Sequence, residues 1–83
     1  MGYHADRVTD HVIRRLAQLR VQRGLTIQAV ADAAGITRPY LSFLEKGRRR
    51  PTLDVALRWA EALGISLSRL LAETERRKAK KQS

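Results

Sequence analysis

Only three residues, Gly35-Ile36-Thr37, separate two stretches that each read as a helix. The stretch is "AVADAAGITRPYLSFLEKG", residues 29–47. On its N-terminal side a helix is predicted from Ile27 to Ala34, with Val30, Ala31 and Ala34 as its inward face and Thr26 placed to cap its first turn. On its C-terminal side Thr37 caps the next helix, and Pro39 falls in the first turn, where a missing N–H costs nothing. Leu41 and Leu44 face the core, and Gly47 stops the helix. A connection this short forces the two helices to cross steeply, at about 90–120°. A close crossing needs small side chains, which Ala31 and Ala34 supply, and Gly35 can take the left-handed backbone that the turn requires. In such a pair one helix protrudes while the other braces it.

The rest of the chain supplies the scaffold. Residues 7–23 carry Val8, Val12, Leu16 and Leu19 along one helical face, and Gly24 ends that helix. A basic loop, Arg48-Arg49-Arg50-Pro51, follows the protruding helix. Thr52 then caps a fourth helix, with Asp54 near its positive end and Leu53, Leu57, Ala60 and Leu63 as its predicted apolar stripe. Gly64 ends it, and Ser66 caps a fifth helix carrying Leu67, Leu70 and Leu71. From Glu73 onward no apolar stripe remains, and the segment reads as a frayed helix end or a disordered tail. No strand pattern and no internal repeat appear. The expected fold is all-α: a compact five-helix bundle containing a helix-turn-helix, with one domain over 1–72 and a basic tail over 73–83.

Charge narrows the function. The 83 residues hold 17 Lys and Arg against 8 Asp and Glu, a net +9, which points to a polyanionic partner. From Arg38 to Pro51 five cations face one carboxylate, so close to half of the excess lies beside the protruding helix. Other classes lack their residues. There is no cysteine for a disulfide or thiolate metal site, and His4 and His11 stand apart from any ligand cluster, so both are expected at the surface and no metal is expected. No set of residues for an enzyme is present: no nucleophile–base set, paired carboxylates, phosphate loop or H-E-x-x-H. No apolar run approaches the roughly 20 residues of a membrane span. Met1-Gly2 fails as a myristoylation signal because Asp6 stands where Ser or Thr is needed. A cytoplasmic location, on a bacterial nucleoid or phage-encoded, is the expectation, with no cofactor.

A protruding helix on a basic face fits the major groove of double-stranded DNA. The segment from Gly24 to Leu71 also resembles the Cro/phage-repressor-like (XRE) helix-turn-helix family. The matching features are Gly24-Leu25-Thr26, Ala31, Ala34-Gly35, Tyr40-Leu41-Ser42, Leu44-Glu45, Gly47, Pro51 and Ala60-Glu61-Ala62-Leu63-Gly64. The resemblance implies a phage-repressor-like DNA-binding domain. It also implies that Arg20 and Glu45 form a pair linking the first helix to the end of the third. One position departs from the pattern: Ile27 stands where the family usually has a phosphate-contacting Gln, and Gln28 follows it.

Individual roles follow. Arg38 can reach guanine O6 and N7 bidentately; its alternative is a solvated or phosphate-bound arginine. Pro39 has no donor and can only touch a thymine methyl or shape the approach. Ser42, one turn on, can meet a base edge or a phosphate. Phe43 stands where the family usually carries Arg, Lys or Gln; it either touches thymine methyls or packs on the second helix or the basic loop. Phosphate contacts are expected from Thr26, Gln28, Thr37, Tyr40, Arg48, Arg49 and Arg50. Trp59 and Leu71 are the candidates for a dimer interface.

The expected function is that of a sequence-specific transcriptional regulator, a homodimer on a palindromic operator. With almost no chain outside the domain, control is expected through its own concentration and not a small-molecule ligand. The alternative is an antitoxin or other interaction module, with residues 72–83 as its partner-binding segment.

Overall fold

Threonine begins three helices by the same device. The side-chain oxygens of Thr26, Thr37 and Thr52 accept the backbone N–H of Ala29, Tyr40 and Val55 at 3.0, 3.3 and 3.1 Å, each filling one orphan donor of a helix start. The helices of the computed structural model are α1 (Gly2–Gln22), α2 (Ile27–Ala34), α3 (Arg38–Glu45), α4 (Leu53–Ala62) and α5 (Leu67–Gln82). The structure describes the backbone of residues 2–82 and the side chains of residues 7–74. His4 and the cations of the tail therefore lie outside the described side chains. No strand occurs among the described residues.

Four helix ends close by a common turn. After α2, Gly35 N–H donates to Asp32 O and Ile36 N–H to Ala31 O, the paired bonds of a Schellman motif. Gly35 has φ +72°, and a Cβ built on it would lie 3.2 Å from Arg58 Nη1. The same pair of bonds follows α1, α3 and α4, with Leu25, Arg48 and Ile65 in the place of Ile36. Leu25, Ile36 and Ile65 fold back onto the core. At the end of α3 that place is taken by Arg48, which is exposed. This turn alone sends a cation outward where the other three send an apolar plug inward.

The core is built around Trp59, which is fully buried. Leu16, Val30, Ala31, Leu41, Leu44, Ala60 and Leu70 belong with it to a single apolar cluster that also holds Val12, Ile13, Leu19, Val55, Ala56, Leu63 and Leu67. α2 packs on α4 and α3, α1 on α5 and α3, and α4 on α5.

Several expectations change. The inward face of α4 is Val55, Ala56, Trp59, Ala60 and Leu63, while Leu53 and Leu57 are 70% and 47% exposed. Small residues at 56 and 60 let the helices beside α4 come close, and that sets its rotation. Trp59, proposed above for a dimer interface, is closed inside the monomer and has no surface to offer. α1 starts at Gly2 and not at residue 7. α5 continues to Gln82 instead of fraying at Glu73. Ser66 Oγ pairs with Ser68 Oγ at 2.7 Å, and it is the carbonyl of Ser66 that takes the amides of Arg69 and Leu70.

Contacts with the bundle continue at residues 73 and 74. Thr74 is buried, its hydroxyl donating to Leu70 O at 3.0 Å. Glu73 accepts from Arg15 Nε at 3.1 Å and lies 3.3 Å from His11 Nε2, so His11 is a half-buried link between α1 and α5 and not a free surface residue. The hydrogen bond from His11 and, after it, that from Arg15 hold the Glu73 carboxyl below its ordinary range, against the opposing pull of desolvation. A carboxyl depressed in the folded state adds stability above its unfolded pKa, and that contribution is lost as pH falls through the folded value. Glu73→Gln is expected to lower Tm at neutral pH. Melts repeated into the acid range should show wild type and variant converging as Glu73 protonates; a constant gap would contradict the link.

Candidate nucleic-acid interface

α3 has two turns, a buried side and an open side. Leu41 and Leu44 are fully buried, and Tyr40 is half-buried against the core. On the other side Arg38, Ser42 and Lys46 follow one another at i, i+4 and i+8, with Pro39 and Phe43 in a second, parallel row. Arg38, Pro39, Phe43 and Lys46 are exposed, and Ser42 is half-buried. A helix of eight residues is too short to be stable alone; its burial on the core and its two ends hold it in place.

The ends are held by charge. Arg20, in the last turn of α1, donates from Nε to Glu45 Oε2 at 2.7 Å and from Nη2 to Glu45 Oε1 at 3.1 Å. Its Nη1 donates to Leu25 O at 2.8 Å. The guanidinium thus joins α1, the α1–α2 turn and the last residue of α3. The two side chains are 17% and 10% exposed, so water competes little and the bidentate geometry counts. A carboxylate at a helix C-terminus opposes the helix dipole, and Arg20 offsets this. At the other end Arg58 of α4 donates from Nη1 to Ala34 O at 3.2 Å and lies 3.1 Å through Nη2 from Asp54 Oδ2. It binds a free carbonyl at the end of α2, directly before the turn into α3.

The remaining residues fall around this frame. Thr26 and Thr37 cap α2 and α3 with their oxygens, which leaves each hydroxyl proton free to donate outward. Gln28 is exposed, but its amide donates to Asp32 Oδ1 at 2.9 Å. Its one donor group is engaged beside an anion. Ile27, at the position of the family's usual Gln, packs against the core. Arg48 and Arg49 are exposed in the loop after α3. Arg50 is tied back to α1, its Nη1 donating to Asp10 Oδ1 at 2.7 Å with both side chains half-exposed. The open face of α3 thus runs into Arg48 and Arg49.

Two contributors were not singled out from the sequence. Lys46 extends the Arg38–Ser42 row, and its spacing was the available signal. Arg58 had no local signal, because its partner carbonyl is 24 residues away. Among the described residues no cluster of His, Cys, Asp and Glu could hold a metal ion, and no helix is long and apolar enough to cross a membrane.

Comparison with known proteins agrees with this geometry. Residues 16–70 match the family model described as helix-turn-helix. The chain is 44% identical over 61 residues to the HTH-type transcriptional regulator DdrOP3 of Deinococcus deserti, covering 74% of this chain and 47% of that protein. It is 42% identical over 59 residues to the uncharacterized HTH-type transcriptional regulator y4dJ of Sinorhizobium fredii, covering 71% and 77%. It superposes on the restriction-modification controller protein C.AhdI of Aeromonas hydrophila with a TM-score of 0.68 at 32% identity, covering 80% of this chain and 97% of that one. The chain spans about half the length of the Deinococcus regulator and nearly all of the controller protein.

Removing Glu45 leaves Arg20 half-enclosed with a single remaining acceptor. Glu45→Ala is expected to destabilise the domain by about 3 kcal/mol, on the order of 15 °C in Tm for a domain of this size. Glu45→Gln, which keeps the shape and loses the charge, should cost less. Calorimetry of the two variants checks the order; a loss of a degree or two in Glu45→Ala would show the pair to be worth nothing.

Proposed function

The chain belongs to the helix-turn-helix family, and on that basis we propose that it is a sequence-specific DNA-binding transcriptional regulator acting as a homodimer on a palindromic operator. The observation that carries this reading is the open face of α3. It is a row of Arg38, Ser42 and Lys46 on a helix whose other side is locked into the core, and it leads directly into Arg48 and Arg49. α3 enters the major groove. Arg38 takes a guanine edge with two hydrogen bonds, Ser42 meets the next base or its phosphate, and Pro39 and Phe43 supply apolar contact. Phosphates on either side are held by Arg48 and Arg49, by the hydroxyls of Thr26 and Thr37, and by Tyr40. Arg50 joins them by exchanging Asp10 for a phosphate. Gln28 adds a contact through the second N–H of its amide, the first being held by Asp32. The regulators and the controller protein that resemble this chain support the reading. Double-stranded DNA is the partner.

One helix-turn-helix covers too few base pairs to compete with a genome of other sites. Two copies read half-sites about 34–36 Å apart. We assign the contact between copies to the apolar face of Leu53, Leu57 and Leu71, which are 70%, 47% and 36% exposed. Leu53 and Leu71 also line a groove with Val8, Pro51 and Leu67. Leu71 therefore stays in the proposed interface, and Leu53 and Leu57 take the place of Trp59.

Selection of bound sequences from random DNA should return a two-fold site. On that site Arg38→Ala is expected to cost about 1–3 kcal/mol and to relax preference at one base pair. Arg49→Ala should weaken all sequences alike and flatten the salt dependence by about one unit. An unchanged base preference in Arg38→Ala would remove Arg38 as a reader. For the dimer, light scattering across concentration should show wild type leaving the 9.4 kDa monomer mass and Leu71→Glu remaining there. A wild type that stays monomeric at high micromolar concentration and binds DNA as one copy would contradict it.

A further inference from the structure

The open face of α3 carries two side chains with no polar atom. Pro39 and Phe43 are one helical turn apart, and both are exposed. Phe43 is 41% exposed, whereas Trp59 is fully buried and Tyr40 packs against the core. Among the described residues, Phe43 belongs neither to the apolar core nor to the side chains packed against it. Cations flank it along the chain: Arg38 on its own helix, Lys46 at the cap, and Arg48 and Arg49 in the loop beyond. A phenyl ring framed by exposed cations is poorly suited to an apolar protein partner and well suited to the floor of the major groove. The apolar group presented there is the C5-methyl of a pyrimidine.

We propose that Pro39 and Phe43 read pyrimidine C5-methyl groups, so that the regulator senses methylation of cytosine at that position of its operator. The inference rests on the proposed function, since it requires α3 in the groove. Its physical content is what the pair lacks. Neither side chain has a donor or acceptor to tell O4 of thymine from the N4 amino group of cytosine. What they sense is the methyl group, and 5-methylcytosine places it where thymine does. Cytosine at this position is a poor base, and methylation turns it into an acceptable one. Arg38, in the neighbouring row, keeps its guanine, so the rest of the site is read whether or not the cytosine is methylated.

The test uses the full chain and the operator obtained by selection. Each thymine of a half-site is replaced singly by uracil, which deletes only the methyl group, by cytosine paired with guanine, and by 5-methylcytosine paired with guanine. At one or two positions uracil should weaken binding about fourfold, the worth of roughly one buried methyl group. At those positions 5-methylcytosine should bind about fourfold better than cytosine. In Phe43→Ala, whose side chain is exposed and whose melt should match wild type, both differences should disappear while the Arg38-dependent guanine preference persists. Pro39→Ala should reduce them. Uracil binding as well as thymine at every position, or differences that survive in Phe43→Ala, would overturn the inference and leave the regulator reading standing. A wild type that prefers no sequence at all would overturn both.

Discussion

The guanidinium of Arg20 connects the parts of this domain that have to agree on where α3 lies. Two of its nitrogens grip the last residue of α3, and the third holds the carbonyl of Leu25 at the turn out of α1. α3 has only eight residues and two fully buried leucines, too little for its own rotation to be well defined. Leu41 and Leu44 decide which side faces inward, and the fork of Arg20 on Glu45 fixes how far the helix turns about its axis. In the proposed complex a rotation that moved Arg38 by about an ångström would take it out of bidentate reach of a base, so on that reading a charge pair far from the groove controls what is read inside it.

The same division of labour runs through the rest of the chain. Local rules start and stop the helices: a threonine oxygen at the start, paired amide bonds around a glycine at the end. Apolar residues just past those glycines then pin three of the four turns to the core. The exception after α3 is where the domain changes from holding itself together to holding something else. Arg48 takes the position of a plug and points the chain outward with Arg49. Arg58 completes the frame by binding the end of α2 at Ala34, so the turn and the far end of the helix-turn-helix are held by arginines from neighbouring helices.

What was legible in the sequence is what neighbouring residues decide among themselves. Thr26, Thr37 and Thr52 cap as their spacing requires, and the short Gly35-Ile36-Thr37 turn left little freedom for α2 and α3. The bounds of α2, α3 and α4 follow from the same signals. The rotation of α4 did not, because it offers two apolar stripes. Leu53 and Leu57 made the more conspicuous one, yet the buried one runs through Val55, Ala56, Trp59 and Ala60, where two alanines let neighbouring helices approach. Hydrophobicity cannot choose between two such faces; close packing can, and packing is not a local property. Links that join distant residues were out of reach for the same reason: Glu73 with His11 and Arg15, Asp10 with Arg50, and Arg58 with the Ala34 carbonyl. At the interface, the row of Arg38 and Ser42 was legible from helical spacing; its continuation in Lys46 was open to the same count but was not drawn from it. That Gln28 is engaged by Asp32 depended on side-chain geometry.

The central claim is that the open face of α3 meets DNA while the α4–α5 face does not. Backbone amide shifts recorded while the labelled protein is titrated with its selected operator duplex test this most directly. The account predicts the largest changes at residues 38–43 and 46–49, smaller ones at the caps Thr26 and Thr37, and near silence along the second half of α4. Changes concentrated at Leu53, Leu57 and Leu71, with Arg38 to Phe43 unmoved at saturating DNA, would contradict it.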